Sequence, residues 1–344
     1  MDIAISAAGL RKTYGDNEVL GGIDLSVEAG TVYGLLGPNG AGKTTTVRTL
    51  STLIKPDAGT ATVAGYDVLS QAHEVRRSIG LTGQYAALDG ELTGRENLVL
   101  MGTLLHMGRK RARARADEVL EMFDLTDAAD RVVKTYSGGM RRRLDLGASL
   151  TGSPPVIFLD EPSTGLDPVS RNALWDMVRK QVAEGVTVLL TTQYLEEADQ
   201  LADRIALIDK GLVAAEGTPD ELKRKVGGER LEITVRTTEM VEAARVALAR
   251  ISARGSAPPV VDESGMRVSI ALETGIAGVS AAAAELQGAS VEVVDFLVRR
   301  PSLDDVFLEL TGAGTEAGPE TEPEAGPGAE PEAGPGAELE ATSR

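Results

Sequence analysis

The chain has 344 residues, of which 42% are hydrophobic, and a formal net charge of −17, so it is long enough for two domains with ordinary cores. It contains no cysteine, which excludes disulfides and thiolate metal sites and fits a reducing cytoplasm. No stretch approaches the roughly 20 consecutive apolar residues that a membrane span needs, so no spanning helix is predicted.

The first motif lies at residues 37–44, which fit the phosphate-binding pattern G-x-x-x-x-G-K-[ST] between a strand-like stretch at 31–36 and a predicted helix. Glycines let the backbone approach a phosphate closely, and a helix N-terminus offers unpaired N–H groups. Lys43 adds a charge for the β- and γ-phosphates, and Thr44 offers a hydroxyl to Mg²⁺. The predicted nucleotide-binding residues are Gly37, Pro38, Asn39, Gly40, Ala41, Gly42, Lys43, Thr44 and Thr45.

Residues 85–136 are predicted to form a mainly helical block, because apolar residues such as Leu98 and Met101 recur there at helical spacing. Within this block every second residue from 109 to 115 is basic, which on a helix spreads the charge around the circumference. A solvated helix face is the favoured interpretation. A contact with nucleic acid or with anionic lipid headgroups is the alternative.

A second turn suited to anions follows at Ser137, Gly138 and Gly139, which open another predicted helix. One nucleotide already has a complete phosphate cradle around Lys43. A second cradle is explained if it serves the nucleotide of another subunit.

A buried strand is predicted at residues 156–161, where four apolar residues precede Asp160 and Glu161. The carboxyl edge of a parallel sheet is where ligands of α/β proteins bind. Asp160 is therefore placed to hold Mg²⁺ through a water, and Glu161 to orient and polarise an attacking water.

Another strand is predicted at residues 186–192, and Gln193 follows it directly. The next segment predicts an amphipathic helix. Its apolar positions are Leu195, Ala198, Leu201, Ala202 and Ile205.

The C-terminal third predicts a small α+β domain at residues 229–311, after a boundary at Gly227 and Gly228. Alternating stretches at 231–236 and 266–272 and a further stretch at 291–298 predict three strands, with helices between them. Ser302 and Asp305 form a capping box for a last short helix. No site motif falls in this domain, so a regulatory role or a dimer contact is expected.

Residues 312–344 form an acidic tail in which Pro-Glu-Ala-Gly-Pro-Gly-Ala-Glu occurs from Pro323 and again from Pro331. Its eight glutamates against Arg344 give it a charge of −7. Such a composition offers too little apolar surface to offset chain entropy, so the tail is predicted to be disordered. A solubilising role is favoured over an interaction role.

In this order the motifs resemble the ATP-binding cassette family, and the resemblance covers roughly the first two-thirds of the chain. It implies an α/β P-loop NTPase cassette at residues 1–226 with an inserted helical subdomain at about 85–136. Three residues take roles from the resemblance alone: Gln84 in the Q-loop, contacting nucleotide and Mg²⁺; Asp167 in the D-loop; and Tyr14, stacking on adenine.

Gln193 stands where this family usually has a histidine. The segments at residues 191–199 and 300–307 resemble one branch, the daunorubicin-resistance type exporter ATPases. Glutamine keeps a hydrogen bond to the γ-phosphate but cannot become an imidazolium. The expected catalytic residues are therefore Glu161, Gln193 and Lys43, with most of the weight on Glu161.

The resemblance implies an ATPase that uses ATP and Mg²⁺ and powers drug or antibiotic export through a separate integral membrane permease, conferring resistance. Two copies would share each ATP between Lys43 of one chain and the Ser137 motif of the other, at the cytoplasmic face of the membrane. One alternative is a cassette ATPase acting on DNA or ribosomes; the spacing leaves no room for a long coiled coil, and no nucleic-acid partner is expected. A GTPase switch is the other alternative, and the Ser137 motif argues against it.

Overall fold

The computed structural model describes residues 2–83, 88–226, 230–251, 258–262, 265–271, 276–299 and 301–311. Gln84, the boundary predicted at Gly227 and Gly228, and the tail predicted to be disordered at 312–344 lie outside these residues.

The described strands are β1 (Ile3–Tyr14), β2 (Asn17–Glu28), β3 (Val32–Leu36), β4 (Ala58–Val63), β5 (Tyr66–Asp67), β6 (Ile79–Thr82), β7 (Val156–Asp160), β8 (Thr187–Thr192), β9 (Arg204–Asp209), β10 (Leu212–Gly217), β11 (Arg230–Val235), β12 (Val260–Val261), β13 (Arg267–Ala271) and β14 (Val293–Arg299). The described α-helices are α1 (Lys43–Leu50), α2 (Ala72–Ser78), α3 (Gly94–Leu104), α4 (Arg109–Met122), α5 (Gly138–Ser149), α6 (Pro168–Ala183), α7 (Leu195–Leu201), α8 (Pro219–Val226), α9 (Glu239–Ala249), α10 (Ile276–Gly288) and α11 (Leu303–Thr311). In this part of the chain no helix has the length and apolarity to cross a bilayer.

The central sheet has six strands in the order β10-β9-β3-β8-β7-β6. Its strands run parallel except β10, which pairs antiparallel with β9. Alternate residues of β3 enter two different cores: Val32 and Leu36 one, Tyr33 and Leu35 the other. The sheet is therefore covered on both faces, which explains why its strands are continuous apolar runs. The predicted α/β architecture is confirmed.

An antiparallel sheet in the order β2-β1-β4-β5 lies beside the central sheet. Near the start of β2, Val19 and Leu20 approach Gly42 so closely that a Cβ on this glycine would lie 2.9 Å from atoms of both. The second sheet thus supports the phosphate-binding loop from one side.

The predicted helical block contains α3 and α4, which pack on α5. Ala112, Ala116, Val119 and Leu120 form the buried side of α4. Its basic residues are exposed except for the half-buried Arg115, which donates to the carbonyl oxygens of Leu150 and Thr151. This placement favours the solvated-face interpretation of the basic run.

The helix predicted to include Ile205 is shorter than expected. It ends at Leu201, and Ile205 belongs to β9, where it pairs with Gly34 of β3. The prediction was wrong because only Ile205 of the apolar residues at 205–208 fits the helical spacing. All four residues are buried, as expected for a strand covered on both faces of a parallel sheet.

The third sheet has the order β12-β13-β11-β14 and is antiparallel. With α9 and α10 it forms a β-α-β-β-α-β unit, and residues such as Leu231, Leu248 and Val268 make up a core of its own. The capping box predicted at Ser302 is confirmed, since Ser302 and Asp305 bond reciprocally at 2.7 and 3.2 Å. The helix that it opens, α11, packs on α7 and α8, with Leu303 and Val306 in the core of the first part of the chain.

Candidate functional site

Several predicted site residues lie at the carboxyl ends of three neighbouring strands of the central sheet. Strand β8 lies between β3 and β7, and all three run in the same direction. The phosphate-binding loop follows β3, Gln193 follows β8, and Glu161 follows β7. Residues separated by more than a hundred positions therefore meet where open α/β sheets bind their ligands.

The loop at residues 37–42 depends on glycine at two positions. Gly42 has a φ of 110°, a left-handed conformation that other residues adopt only at a cost. A Cβ on Gly37 would collide with the carbonyl oxygen of Ile208 at the end of the neighbouring strand β9. The loop therefore follows a tight path into α1, whose N-terminus supplies the unpaired N–H groups that favour an anion.

Lys43 is buried, and its ammonium group donates to the carbonyl oxygens of Gly37 at 2.7 Å and Pro38 at 3.0 Å. Burial lowers the pKa of Lys43, while the nearby charges of Glu161 and Asp160 act to raise it. The cation is thus held inside the loop, within the field of both predicted acids.

Asp160 is buried at the end of β7 and accepts two hydroxyl hydrogen bonds on the same oxygen. Thr191 Oγ1 donates to Asp160 Oδ1 at 2.5 Å, and Thr44 Oγ1 donates at 3.2 Å. The Asp160 carboxylate and the hydroxyls of Thr44 and Thr191 therefore form one oxygen-rich corner beside the N-terminus of α1. Such hard oxygen donors suit Mg²⁺, which usually takes one or two carboxylates together with substrate phosphates.

Glu161 adopts a left-handed conformation with a φ of 49°. Its N–H donates to the carbonyl oxygen and to the hydroxyl of Thr191, both at 3.1 Å. A non-glycine residue in this conformation costs about 1–3 kcal/mol and occurs mainly at functional sites. The turn directs Glu161 into a cavity of about 700 Å³, which Gly138, Arg142 and Thr164 also line.

Gln193 lies beside the phosphate-binding loop. Together with Gly37, Pro38, Asn39 and Phe307 it lines a second cavity of about 280 Å³. Its amide can therefore act near the far end of a triphosphate held by the loop. Phe307 belongs to α11, so a helix from the end of the described chain contributes to this cavity.

Ser137 and Asp167 both cap helices. The Ser137 hydroxyl accepts from Met140 N–H at 3.2 Å at the start of α5. Asp167 accepts from the N–H of Val169 and Ser170 at 3.0 and 2.9 Å and from the Ser170 hydroxyl at 2.6 Å, and the bonds from Ser170 hold the pKa of Asp167 below its usual value. A Cβ on Gly139 would lie 2.5 Å from Ser170 Oγ, so the first turns of α5 and α6 are in contact, and Ser170 in turn donates to Asp167.

Tyr14 is half-exposed at the end of β1, where it pairs with Asn17 of β2. The ammonium group of Lys12 lies 5.5 Å from the centre of its ring. The ring is thus free to stack on a base, on the same hairpin whose residues Val19 and Leu20 approach Gly42.

Sequence reasoning missed Arg142, the second of three arginines after the Ser137 turn. Its guanidinium donates to the carbonyl oxygens of Pro162 at 2.6 Å, Gly83 at 3.0 Å and Asp160 at 3.4 Å. It is also paired with Asp145 at 3.3 Å. One side chain of α5 therefore ties this helix to the backbone around both predicted acids.

Glu197 was also missed and is the most buried acid near the site. Its Oε1 accepts from Trp175 Nε1 at 3.1 Å, and burial raises the pKa of Glu197 despite opposing contributions from Thr192, Trp175, Ser163 and Arg142. Among the described residues, no group completes a hydrogen bond to Oε2. Its position four residues after Gln193, on the buried side of α7, was the available signal.

Two family profiles match consecutive parts of the chain. The ABC transporter profile matches residues 20–164, and the profile of the "ATP-binding protein DrrA1-3-like, C-terminal domain" matches residues 217–311. The second match covers the third sheet and α11, which carried no site motif.

Two relatives are similar over nearly their whole length. The daunorubicin resistance ATP-binding protein DrrA2 of Streptomyces coeruleorubidus is 56% identical over 91% of this chain and 96% of its own. The daunorubicin/doxorubicin resistance ATP-binding protein DrrA of Streptomyces peucetius is 51% identical over 90% of this chain and 92% of its own. A solved dimeric ATP-binding cassette in a post-hydrolysis state, bound to ADP and Pi, is 26% identical, with a TM-score of 0.57 over 62% of this chain and 98% of that one.

Proposed function

Because this chain belongs to the ABC transporter family of ATP-binding proteins, we propose that it hydrolyses ATP to drive export of a hydrophobic drug or antibiotic. The observation that carries the proposal is the similarity to two drug-resistance ATP-binding proteins over nine-tenths of the chain, including its C-terminal part. Both relatives are named for resistance to daunorubicin, so a hydrophobic drug or antibiotic is the proposed class of cargo.

The nucleotide is proposed to lie along residues 37–45, with its phosphates against the loop and Tyr14 stacked on the base. The fit rests on the tight glycine path and on the buried ammonium of Lys43. Asp160 and Thr44 would hold Mg²⁺, with Gln84 as a further ligand proposed from the family resemblance. When bound, the metal would neutralise charge on the phosphate oxygens.

In the proposed reaction Glu161 orients the attacking water and draws off its proton. Lys43 balances charge on the γ-phosphate, and Gln193 holds that phosphate through its amide. Catalysis of phosphoryl transfer rests mainly on such positioning and charge neutralisation. The left-handed backbone of Glu161 and the two hydrogen bonds from its N–H to Thr191 support this role, because they fix the position of the Glu161 backbone from which the side chain extends.

We further propose that two copies face each other and share two nucleotides. Ser137, Gly138 and Gly139 of one copy, with Asp167 beside them, would contact the nucleotide bound by the loop of the other. The contact between Gly139 and Ser170 supports this arrangement, since Ser170 donates to Asp167 and so links the start of α5 to the cap of α6. The dimeric form of the solved cassette supports it as well.

The proposed partner is an integral membrane permease, with this chain at the cytoplasmic face of the membrane. The proposed division of the chain is a cassette at residues 1–226, with its helical subdomain at about 85–136, followed by a regulatory or dimerisation domain at 229–311. The separate core of the third sheet supports the division. Because α11 packs on α7 and α8, this last helix is the proposed link between the two parts.

Drug accumulation in a sensitive bacterial host tests the proposal. The chain is co-expressed with the membrane protein that copurifies with it, and cellular doxorubicin fluorescence is compared with that of Glu161→Gln. We expect the wild-type pair to lower accumulation severalfold and the variant pair to match the empty host. Equal accumulation in wild type and variant would contradict drug export by this protein.

A further inference from the structure

The two edges of the third sheet differ in a way that points to a partner. At one edge, β12 has only two residues and follows Pro258 and Pro259. Short strands and prolines protect an edge from pairing with other chains. At the other edge, β14 has seven residues and contains neither proline nor lysine. In the part of the chain that the structure describes, no strand pairs with its outer side.

The open edge at β14 also exposes apolar side chains. Val294, Phe296 and Leu297 have 63, 62 and 56% of their surface accessible. Phe296 lines an apolar cavity of about 260 Å³ between the third sheet and α10. An open edge strand with exposed apolar side chains favours pairing with a partner that covers it.

The register of β14 defines which residues can pair. A bulge at Val294 interrupts its pairing with β11, whereas residues 295–299 pair with β11 without interruption. The regular stretch is therefore five residues long, and its middle residue is Leu297.

We infer that residues 295–299 pair antiparallel with the same residues of a second copy of this chain, across a two-fold axis at Leu297. In this register Asp295 lies opposite Arg299 of the second copy, and Phe296 lies opposite its Val298. Opposite charges face each other on both sides of the central leucines, and each Phe296 covers apolar surface of the other copy. The two sheets become one continuous sheet of eight strands.

Charge complementarity identifies the second copy as the occupant. Arg299 already contacts Asp305 at 3.2 Å and Glu232 at 3.9 Å, on the face of the sheet that Leu297 shares with Glu232. A guanidinium has five N–H donors, so the Arg299 side chain can donate to a further carboxylate. The tail at residues 312–344 is a poor alternative occupant, because it is acidic and contains one large apolar residue, Leu339.

Cysteine cross-linking tests the register. Because the chain has no native cysteine, any disulfide must involve the introduced residue. Leu297→Cys places two thiols on opposite residues, whose Cα atoms lie about 4.5–5.5 Å apart in antiparallel sheets, within disulfide reach. Val294→Cys is the matched control, because Val294 is similarly exposed on the same strand but would lie about 20 Å from its copy. Both cysteine variants are oxidised as full-length chains with EDTA and without nucleotide. Under these conditions the proposed nucleotide-sharing dimer does not form, so a cross-link reports the contact between the β14 strands.

We expect Leu297→Cys to give a disulfide-linked dimer with at least about tenfold higher yield than Val294→Cys. Equal yields, or no dimer from Leu297→Cys, would overturn the inference. Sedimentation of the otherwise native chain gives a second measurement that needs no oxidation. Asp295→Arg, which places two arginines opposite each other, should weaken nucleotide-free dimerisation at least about tenfold, and an unchanged dissociation constant or a wild-type chain that stays monomeric would contradict the pairing.

Discussion

The hydroxyl of Thr44 donates to Oδ1 of Asp160 at 3.2 Å, although the two residues are 116 positions apart. This bond joins the first turn of α1 to the end of β7. Thr191 donates to the same oxygen from β8, the strand that lies between β3 and β7. The groups proposed to hold nucleotide and metal thus form one hydrogen-bonded unit across three strand ends.

Thr191 should be a positioning residue whose loss slows turnover. Thr191→Val keeps the volume but removes the hydroxyl that serves both Asp160 and the Glu161 N–H. We expect kcat to fall about tenfold, equivalent to about 1.4 kcal/mol, with a smaller change in KM for ATP. Steady-state kinetics measures both constants. Thr191→Ser is the control and should stay near wild type; equal losses in both variants would point to packing of the methyl group instead.

Glu161→Gln should separate nucleotide binding from hydrolysis. The amide cannot take a proton from water, so turnover should fall by about 10²-fold or more. Binding of Mg-ATP should persist, because Lys43 and the loop are unchanged, and an ATP-bound dimer should accumulate. Equilibrium binding and size-exclusion chromatography with ATP test the two parts. Wild-type turnover in this variant would remove Glu161 from the proposed mechanism.

The local part of the site could be predicted from the sequence, because the loop at residues 37–44 and the pair Asp160 and Glu161 follow directly from strand–loop–helix patterns. Contacts that depend on strand order could not. Thr191 reaches Asp160 only because β8 lies beside β7, and Phe307 reaches the loop only because α11 packs back on α7. The helix predicted through Ile205 failed for the same reason, since pairing with β3 decided its structure.

Glu197 should make stability depend on pH. Burial raises its pKa above the unfolded value, so the folded chain binds this proton more tightly. The stabilising contribution is therefore complete below the unfolded pKa and is lost as the pH rises through the raised value. Glu197→Gln keeps a neutral side chain that can still accept from Trp175.

We expect the melting temperature of Glu197→Gln to exceed that of wild type by an amount that grows from pH 5 to pH 8. Thermal unfolding of both proteins across this range gives the difference. Glu196→Gln, on the adjacent exposed position, is the control and should show no such trend. Parallel curves for wild type and Glu197→Gln would show that Glu197 does not titrate differently on folding.

Gln193 gives the sharpest test of the mechanism, because it stands where the family usually has a histidine. If its amide only positions the γ-phosphate and the attacking water, geometry matters and an ionisable group does not. Gln193→His can donate from a similar position and should retain substantial ATPase activity. Gln193→Ala removes the contact and should raise the barrier by about 1–3 kcal/mol, which is about one to two decades in kcat.

The pH profile provides the second measurement on Gln193. Glutamine does not titrate, so the wild-type rate should show no inflection near neutral pH that depends on this position, whereas Gln193→His should introduce one near the ordinary histidine pKa of about 6.5. Phe307→Leu, in the same cavity, is the matched control for altered packing around the amide. It should change kcat far less than Gln193→Ala does. An alanine variant as fast as wild type would show that Gln193 does not contribute to hydrolysis and that Lys43 and the loop position the γ-phosphate without it.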